Sequence, residues 1–187
     1  ANVIKLVPHS LVTQKVVRKV EVEDGYFKFH DKLDILKLVV IERHKGTGNI
    51  GLGLVEDFKL KNGAIASTIA HDSHNLIVVG DNDEDILLAI EEIKRIGGGI
   101  TICSNGKVLK TLSLPIAGLM SDKSLEEVDD ELKEMHRLAR KMGINEEIDP
   151  FMTLAFLALP VIPEIKLTDV GLFDVNKFDF IDISVKS

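Results

Sequence analysis

Two segments of strand length bracket a hexapeptide that carries five polar side chains in a row. Ala64 to Ile69, small and β-branched, comes before it, and Leu76-Ile77-Val78-Val79 with Gly80 comes after. Between them stand Ala70-His71-Asp72-Ser73-His74-Asn75. Both segments read as buried strands. A loop held between two such strands is where binding and catalytic side chains gather. No other part of the sequence packs as much hydrogen-bonding and metal-binding capacity into so few residues.

The chain downstream of Gly80 sets the fold class. Asn82 caps a helix with Asp83-Glu84-Asp85 in its first turn, where the helix dipole favours acids. Ile86, Ile90 and Ile93, with Leu87 beside them, form its apolar stripe, and Gly97-Gly98-Gly99 closes it. Ile100 to Cys103 and Val108 to Leu114 form a hairpin about Asn105-Gly106. Leu76 to Cys103 is thus strand, helix, strand: a βαβ unit, with some parallel pairing. Leu114 to Met120 is an irregular apolar connection. Ser124 and Glu127 then make a capping box for an amphipathic helix carrying Leu125, Val128, Leu132, Met135, Leu138 and Met142, closed by Gly143. Asp149-Pro150 opens another helix, apolar nearly all round from Phe151 to Leu159 and stopped by Pro160 and Pro163.

Upstream, Ala1 to Gln14 reads as an extended arm. Val16 to Glu23 and Tyr26 to Phe29 read as a hairpin about Asp24-Gly25, and Leu36 to Ile41 and Gly51 to Val55 as further strands. The tail holds a turn at Thr168-Asp169-Val170-Gly171 and a strand from Phe178 to Val185. With no repeat, no low-complexity segment and no linker, residues 1–187 read as one α/β domain. Its expected architecture is a layered mixed sheet with hairpins, a βαβ unit and two to three packed helices.

Composition narrows the function classes. A chain of 187 residues holds one substantial core or two small ones. A formal charge of −7 argues against a nucleic-acid partner, which would show as a basic face. The lone cysteine, Cys103, fits a reducing compartment and leaves no internal disulfide framework. The longest apolar run, Phe151 to Leu159, is about half the roughly 20 residues that a membrane span needs. The first residues carry no secretion signal, so no membrane partner and a cytoplasmic location are expected. The start without methionine points to a cut or processed product.

Two clusters carry the candidate chemistry. His71 and His74, three residues apart with Asp72 between them, supply half of a zinc or iron first shell, with a carboxylate to orient an imidazole or to ligate. Two histidines do not complete a site. The plainer alternative is a tight turn in which Asp72 and Asn75 hydrogen-bond the backbone and the histidines are satisfied locally. Glu42-Arg43-His44, at the end of a strand, sets acid, fixed cation and titratable base in series. It suits a polar ligand or a proton transfer, or else a solvated ion pair. Gly46-Thr47-Gly48 resembles a fragment of a phosphate loop but lacks its lysine and hydroxyl pair. Cys103 reads as an inert buried thiol. The acids of 126–131 and His136 read as the wet face of a helix, and Met120, Met135 and Met142 as core filler.

Longer blocks add a resemblance. Val40-Ile41-Glu42-Arg43-His44, Gly48-Asn49, Gly63-Ala64-Ile65-Ala66-Ser67, His71-Asp72-Ser73-His74-Asn75, Asn82-Asp83-Glu84-Asp85 and Gly97-Gly98-Gly99 stand in order. Leu114-Pro115-Ile116-Ala117-Gly118-Leu119-Met120-Ser121, Pro150-Phe151-Met152-Thr153-Leu154, Leu159-Pro160-Val161-Ile162-Pro163 and Lys166-Leu167-Thr168-Asp169 continue it. From about Leu36 to Gly171 this resembles the C-terminal domain of microbial adenine deaminase, of the amidohydrolase superfamily; residues 1–35 match loosely.

The resemblance implies hydrolysis of adenine to hypoxanthine and ammonia, in adenine catabolism, on a (β/α)₈ barrel. There a divalent metal (Mn, Fe or Zn) makes hydroxide available at neutral pH. That barrel is not in this chain, which has no H-x-H pair and no train of eight strand–helix units. The chain therefore reads as the C-terminal third of such an enzyme, inactive alone, with no metal assignable to it. Its implied partners are the barrel of the same enzyme, adenine as the whole enzyme's substrate, and further copies in a homo-oligomer. His71, Asp72 and His74 are the catalytic candidates on a barrel-facing loop. His71 or His74 would act as proton shuttle, substrate contact or auxiliary metal ligand, and Asp72 would orient one of them. Asn75, Glu42, Arg43 and His44 would serve substrate binding or the domain junction, Glu42 and Arg43 as an ion pair. Two rival classes remain: an interaction module for subunit assembly that uses Phe151 to Pro163 as an exposed contact, and an autonomous metalloenzyme built on His71, His74 and remote carboxylates.

Overall fold

The computed structural model describes residues 1–30 and 33–185. In chain order its strands are β1 (Asn2–Leu6), β2 (Thr13–Val17), β3 (Val22–Glu23), β4 (Tyr26–Phe27), β5 (Ile35–Ile41), β6 (Ile50–Glu56), β7 (Gly63–Ser67) and β8 (Leu76–Gly80). They continue with β9 (Gly99–Ser104), β10 (Lys107–Ser113), β11 (Ile165–Leu167), β12 (Leu172–Asp174) and β13 (Asp179–Ile181); the helices are α1 (Asp83–Ile96), α2 (Leu125–Lys141) and α3 (Pro150–Phe156). An eight-stranded sheet runs β10-β9-β7-β8-β5-β6-β1-β2, beside a three-stranded sheet β11-β12-β13 and the small hairpin β3-β4.

Side-chain alternation sends each central strand to two cores. Val39, Ala64, Ala66 and Val78 meet Ile86, Ala89 and Ile93 of α1 on one face. Leu38, Val40, Ile65, Ile77 and Val79 meet Met135 and Ala139 of α2 and Phe151 and Leu154 of α3 on the other, joined by Ile165 and Leu167 of β11. The sheet is covered on both faces. The α1 stripe differs from its expectation: Ala89 is fully buried, whereas Leu87 points outward. Asn82 and the Ser124–Glu127 capping box start their helices as expected.

The βαβ unit is split. β7 lies between β8 and β9 and pairs antiparallel with both. The short 68–75 loop makes β7 and β8 immediate neighbours, so the α1 crossover delivers β9 to the far side of β7. Parallel pairing occurs instead between β1 and β6. The supposed arm at Ala1 to Gln14 thus contains an interior strand, because Val3 faces one core while Ile4 and Leu6 face the other. β2 ends at Val17, and the hairpin about Asp24-Gly25 has only two residues a side. The tail strand shrinks to β13.

The Phe151 to Pro163 segment is buried at Phe151, Leu154, Ala155 and Leu157 to Leu159 and exposed at Met152 and Val161, so it is mainly core. Cys103 is buried, and burial pushes its thiol pKa up to about 12. Glycine in β6 lets the small sheet approach: a Cβ on Gly51 would lie 1.9 Å from the Thr168 carbonyl oxygen. The Thr13 end of the β2 rim is occupied by the chain entering β11, with Thr13 N donating to Pro163 O (2.9 Å) and Glu164 N to Thr13 O (2.8 Å). No helix of the described residues is long and apolar enough to cross a membrane.

Candidate functional site

Strand register brings the two polar clusters together. Ile41, the last residue of β5, pairs with Ile50 of β6 on one side and Leu76 of β8 on the other. The loop after β5, carrying Glu42-Arg43-His44, and the loop before β8, carrying His71 to Asn75, therefore leave the same end of the sheet. A third loop joins them. Thr68, just after β7, donates its hydroxyl to the Gly118 carbonyl at 2.6 Å, tying down the irregular 114–120 connection.

Arg43 and His44 cross from the first loop to the second. Arg43 Nε donates to His74 O at 2.6 Å and its Nη2 to Ala117 O at 2.9 Å. His44 Nε2 reaches Ser73 O at 2.8 Å and His74 O at 3.1 Å. The guanidinium lies flat against Gly118, where a Cβ would come within 2.9 Å of Nη2. Burial lowers the Arg43 pKa.

Glu42 does something else. Its carboxylate folds back over its own loop, accepting from the amides of His44, Lys45 and Thr47 and from the Thr47 hydroxyl. These donors, the Thr47 amide foremost, pull its pKa down to about 2. The expected Glu42–Arg43 ion pair is absent among the described residues: the acid is saturated by backbone donors and the guanidinium by carbonyls. The glycines of Gly46-Thr47-Gly48 serve a carboxylate-capped turn.

The hexapeptide forms a compact turn. His74 N donates to Ala70 O at 2.6 Å, and Ala70 N donates to His74 Nδ1 at 3.3 Å. That second bond assigns the His74 proton to Nε2. Burial, then the charges of His71 and Arg43, lower the His74 pKa, which favours the neutral ring at pH 7. His71 is anchored by its own N–H to Ala155 O at 3.0 Å, with its ring 4.6 Å from Phe156 and 5.3 Å from His74. Asp72 is exposed, and no hydrogen bond joins it to either imidazole among the described residues, so it does not orient them as expected. Its charge raises the His74 pKa, against the larger lowering effects.

Asn75, only 3% exposed, is held from the far end of the chain: its Nδ2 donates to Asp169 Oδ1 at 3.2 Å. Asn49 donates to the other Asp169 oxygen, also at 3.2 Å. Thr68, Gly118 and Asp169 thus belong to the site, although neither polar cluster of the sequence includes them. The sequence signals near them are the irregular Leu114 to Met120 connection and the Thr168 to Gly171 turn, which place Gly118 and Asp169 on loops but not where those loops dock.

His71 also lines a cavity of about 640 Å³ with Ile69, Leu114, Leu125, Val128 and Phe151. His136 lines the same cavity, 3.6 Å from Asp149 and with its ring 4.9 Å from Phe151. His136 therefore packs on α3 instead of standing on the wet face of α2. Among the described residues no three His, Cys, Asp or Glu side chains are grouped to hold a metal ion. His71 and His74 stand side by side with no third such group beside them among the described residues.

The family model of the adenine deaminase C-terminal domain matches residues 10–179, nearly the whole chain. The chain belongs to this family. Adenine deaminase 2 of Carboxydothermus hydrogenoformans is 59% identical over 185 residues, which is 99% of this chain and 32% of that protein. Adenine deaminase of Clostridium acetobutylicum is 55% identical over 181 residues, 96% of this chain and 32% of that protein. Adenine deaminase of Bacillus licheniformis is 51% identical over 182 residues, again 32% of its length. The chain thus spans about a third of the curated relatives it matches. Every residue of the site described above, from Glu42 to Asp169, lies inside the adenine deaminase C-terminal domain match.

Proposed function

We propose that residues 1–187 act as one unit, the C-terminal part of an adenine deaminase whose whole polypeptide hydrolyses adenine to hypoxanthine and ammonia. The observation that carries this reading, beside the family match, is the convergence of the Glu42–His44 and His71–Asn75 loops at one end of the sheet. That end offers the His74 Nε2–H, and the His71 imidazole beside it makes no hydrogen bond among the described residues. We read this face as turned toward an amidohydrolase barrel in the remainder of the polypeptide, which would hold the divalent metal (Mn, Fe or Zn). A cytoplasmic location and a homo-oligomer complete the proposal.

The side chains suit accessory work on a purine. A neutral His74 donates through Nε2 to a ring nitrogen or to the departing amine. His71, held between Phe156 and His74, is placed to pass a proton. Arg43 and His44 fix the carbonyls of the loop and so hold both imidazoles in place; they are positioning residues. The test is His71→Ala and His74→Ala in the full-length enzyme. A lost proton shuttle costs about 10²-fold in kcat. Unchanged kcat and KM in both variants would make the loop purely structural and end this reading.

A further inference from the structure

We propose that an apolar patch formed by Leu52, Val170, Phe178, Phe180 and Ile183 is the seat of the preceding, catalytic part of the polypeptide, an inference that rests on the function proposed above. The patch is large-residue surface without cover. Phe178 is 78% exposed, Val170 65% and Leu52 56%. Leu52, Val170, Phe180 and Ile183 line one shallow depression of about 360 Å³. Phe173 joins Phe178 to it, with ring centroids 5.4 Å from Phe178 and 5.2 Å from Phe180. Contiguous exposed apolar surface of this kind marks a contact site.

Three observations choose the occupant. The relatives are about three times as long as this chain, and the matching family is a C-terminal domain, so the larger part of such a polypeptide precedes it. The patch adjoins the start of the chain: Asn2 N donates to Ile183 O at 2.8 Å, and Asn2 Nδ2 to Asp182 O at 2.8 Å. Polypeptide preceding Ala1 therefore emerges beside Ile183. Finally, the patch is continuous with the candidate site. Val170 is the next residue after Asp169, which holds Asn75 and Asn49. One surface thus runs from the polar loops, over the Thr168–Gly171 turn, to the point where the preceding chain arrives. A body docked on the patch is positioned to face the His71–Asn75 loop.

The experiment places the photoreactive residue benzoylphenylalanine at Phe180 in the full-length polypeptide that carries this domain, and at Lys107, on the opposite rim of the sheet, as control. Light- and heavy-isotope chains are co-assembled from a mixture of dissociated subunits before irradiation, so that any oligomer holds both, and adducts are located by mass spectrometry. The expected result is an adduct from position 180 to the amino-terminal two thirds of the same isotopic species, with at most one tenth of that yield from position 107. Adducts joining light to heavy chains would show that a second copy covers the patch and would overturn the proposal. Reaction at 180 no greater than at 107 would overturn it equally. The readout does not use turnover: histidine variants that lose activity while position 180 stays unlinked would leave the functional reading standing and this proposal rejected.

Discussion

The Asp169 carboxylate accepts the Asn75 amide at 3.2 Å across 94 residues of chain. Its second oxygen takes Asn49, so one side chain clamps the loop before β8 and the loop before β6. Asn75 Oδ1 is already buried without a partner, which makes the Nδ2 contact the one that anchors the amide. Asp169→Ala leaves a buried amide with neither group bonded and is expected to cost about 1–3 kcal/mol, read from the urea midpoint. Asp169→Asn keeps one acceptor oxygen and is expected to fall between wild type and alanine.

Arg43 and Gly118 are expected to be coupled. Gly118 has a φ of 72°, and a Cβ there meets the guanidinium, so Gly118→Ala carries both backbone strain and a clash. The expected loss is about 1–3 kcal/mol. Arg43→Ala removes the clash but not the strain. The double variant should therefore be more stable than the sum of the singles by about 1 kcal/mol, in a double-mutant cycle on thermal or urea unfolding.

Lys166 is a fully buried ammonium that donates to Leu11 O at 2.8 Å and has no carboxylate partner among the described residues. Burial lowers its pKa from 10.5 to about 8. The folded value lies below the unfolded one, so the unfolded chain holds more protons between them. Stability should rise as pH climbs from about 8 to 10.5. Lys166→Met is expected to add about 2–3 kcal/mol at pH 7 and to flatten that rise, measured by urea unfolding across the range.

Glu42 behaves in the opposite sense. Its pKa falls from 4.5 to about 2, so its contribution is complete above 4.5 and disappears as pH drops through about 2. Glu42→Gln should remove that acid-side dependence. It should also speed amide exchange at Lys45 and Thr47, whose N–H groups the carboxylate holds.

Local signals carry most of the architecture. The apolar runs, the Asn82 and Ser124 caps, and the Asn105-Gly106 turn act within a few residues, and they read directly as strands, helices and a hairpin. Pairing order does not read as easily. Nothing local in Leu76 to Cys103 says that β7 will sit between β8 and β9; that comes from the short β7–β8 loop. The site divides along the same line. The two polar clusters stand out by composition, and β5 register makes them neighbours. The partners of their side chains are backbone carbonyls at His74 and Ala117 and a carboxylate at Asp169. Carbonyls have no sequence signature, and a contact across 94 residues has no local one. The Glu42–Arg43 pair fails as an expectation because adjacent opposite charges suggest each other, while here loop amides take the carboxylate and loop carbonyls take the guanidinium.

Residues 163–165 occupy the β2 rim at its Thr13 end, and β10 is the opposite edge of the eight-stranded sheet. That strand sets Lys107 and Lys110 on either side of exposed Val108 and Leu109, and Lys110 is also held by Glu134 of α2 at 2.9 Å. Lysine on an open strand discourages another chain from adding a ninth strand. Fibrillar self-association of this domain, under conditions that neutralise or remove those lysines, would therefore begin at β10.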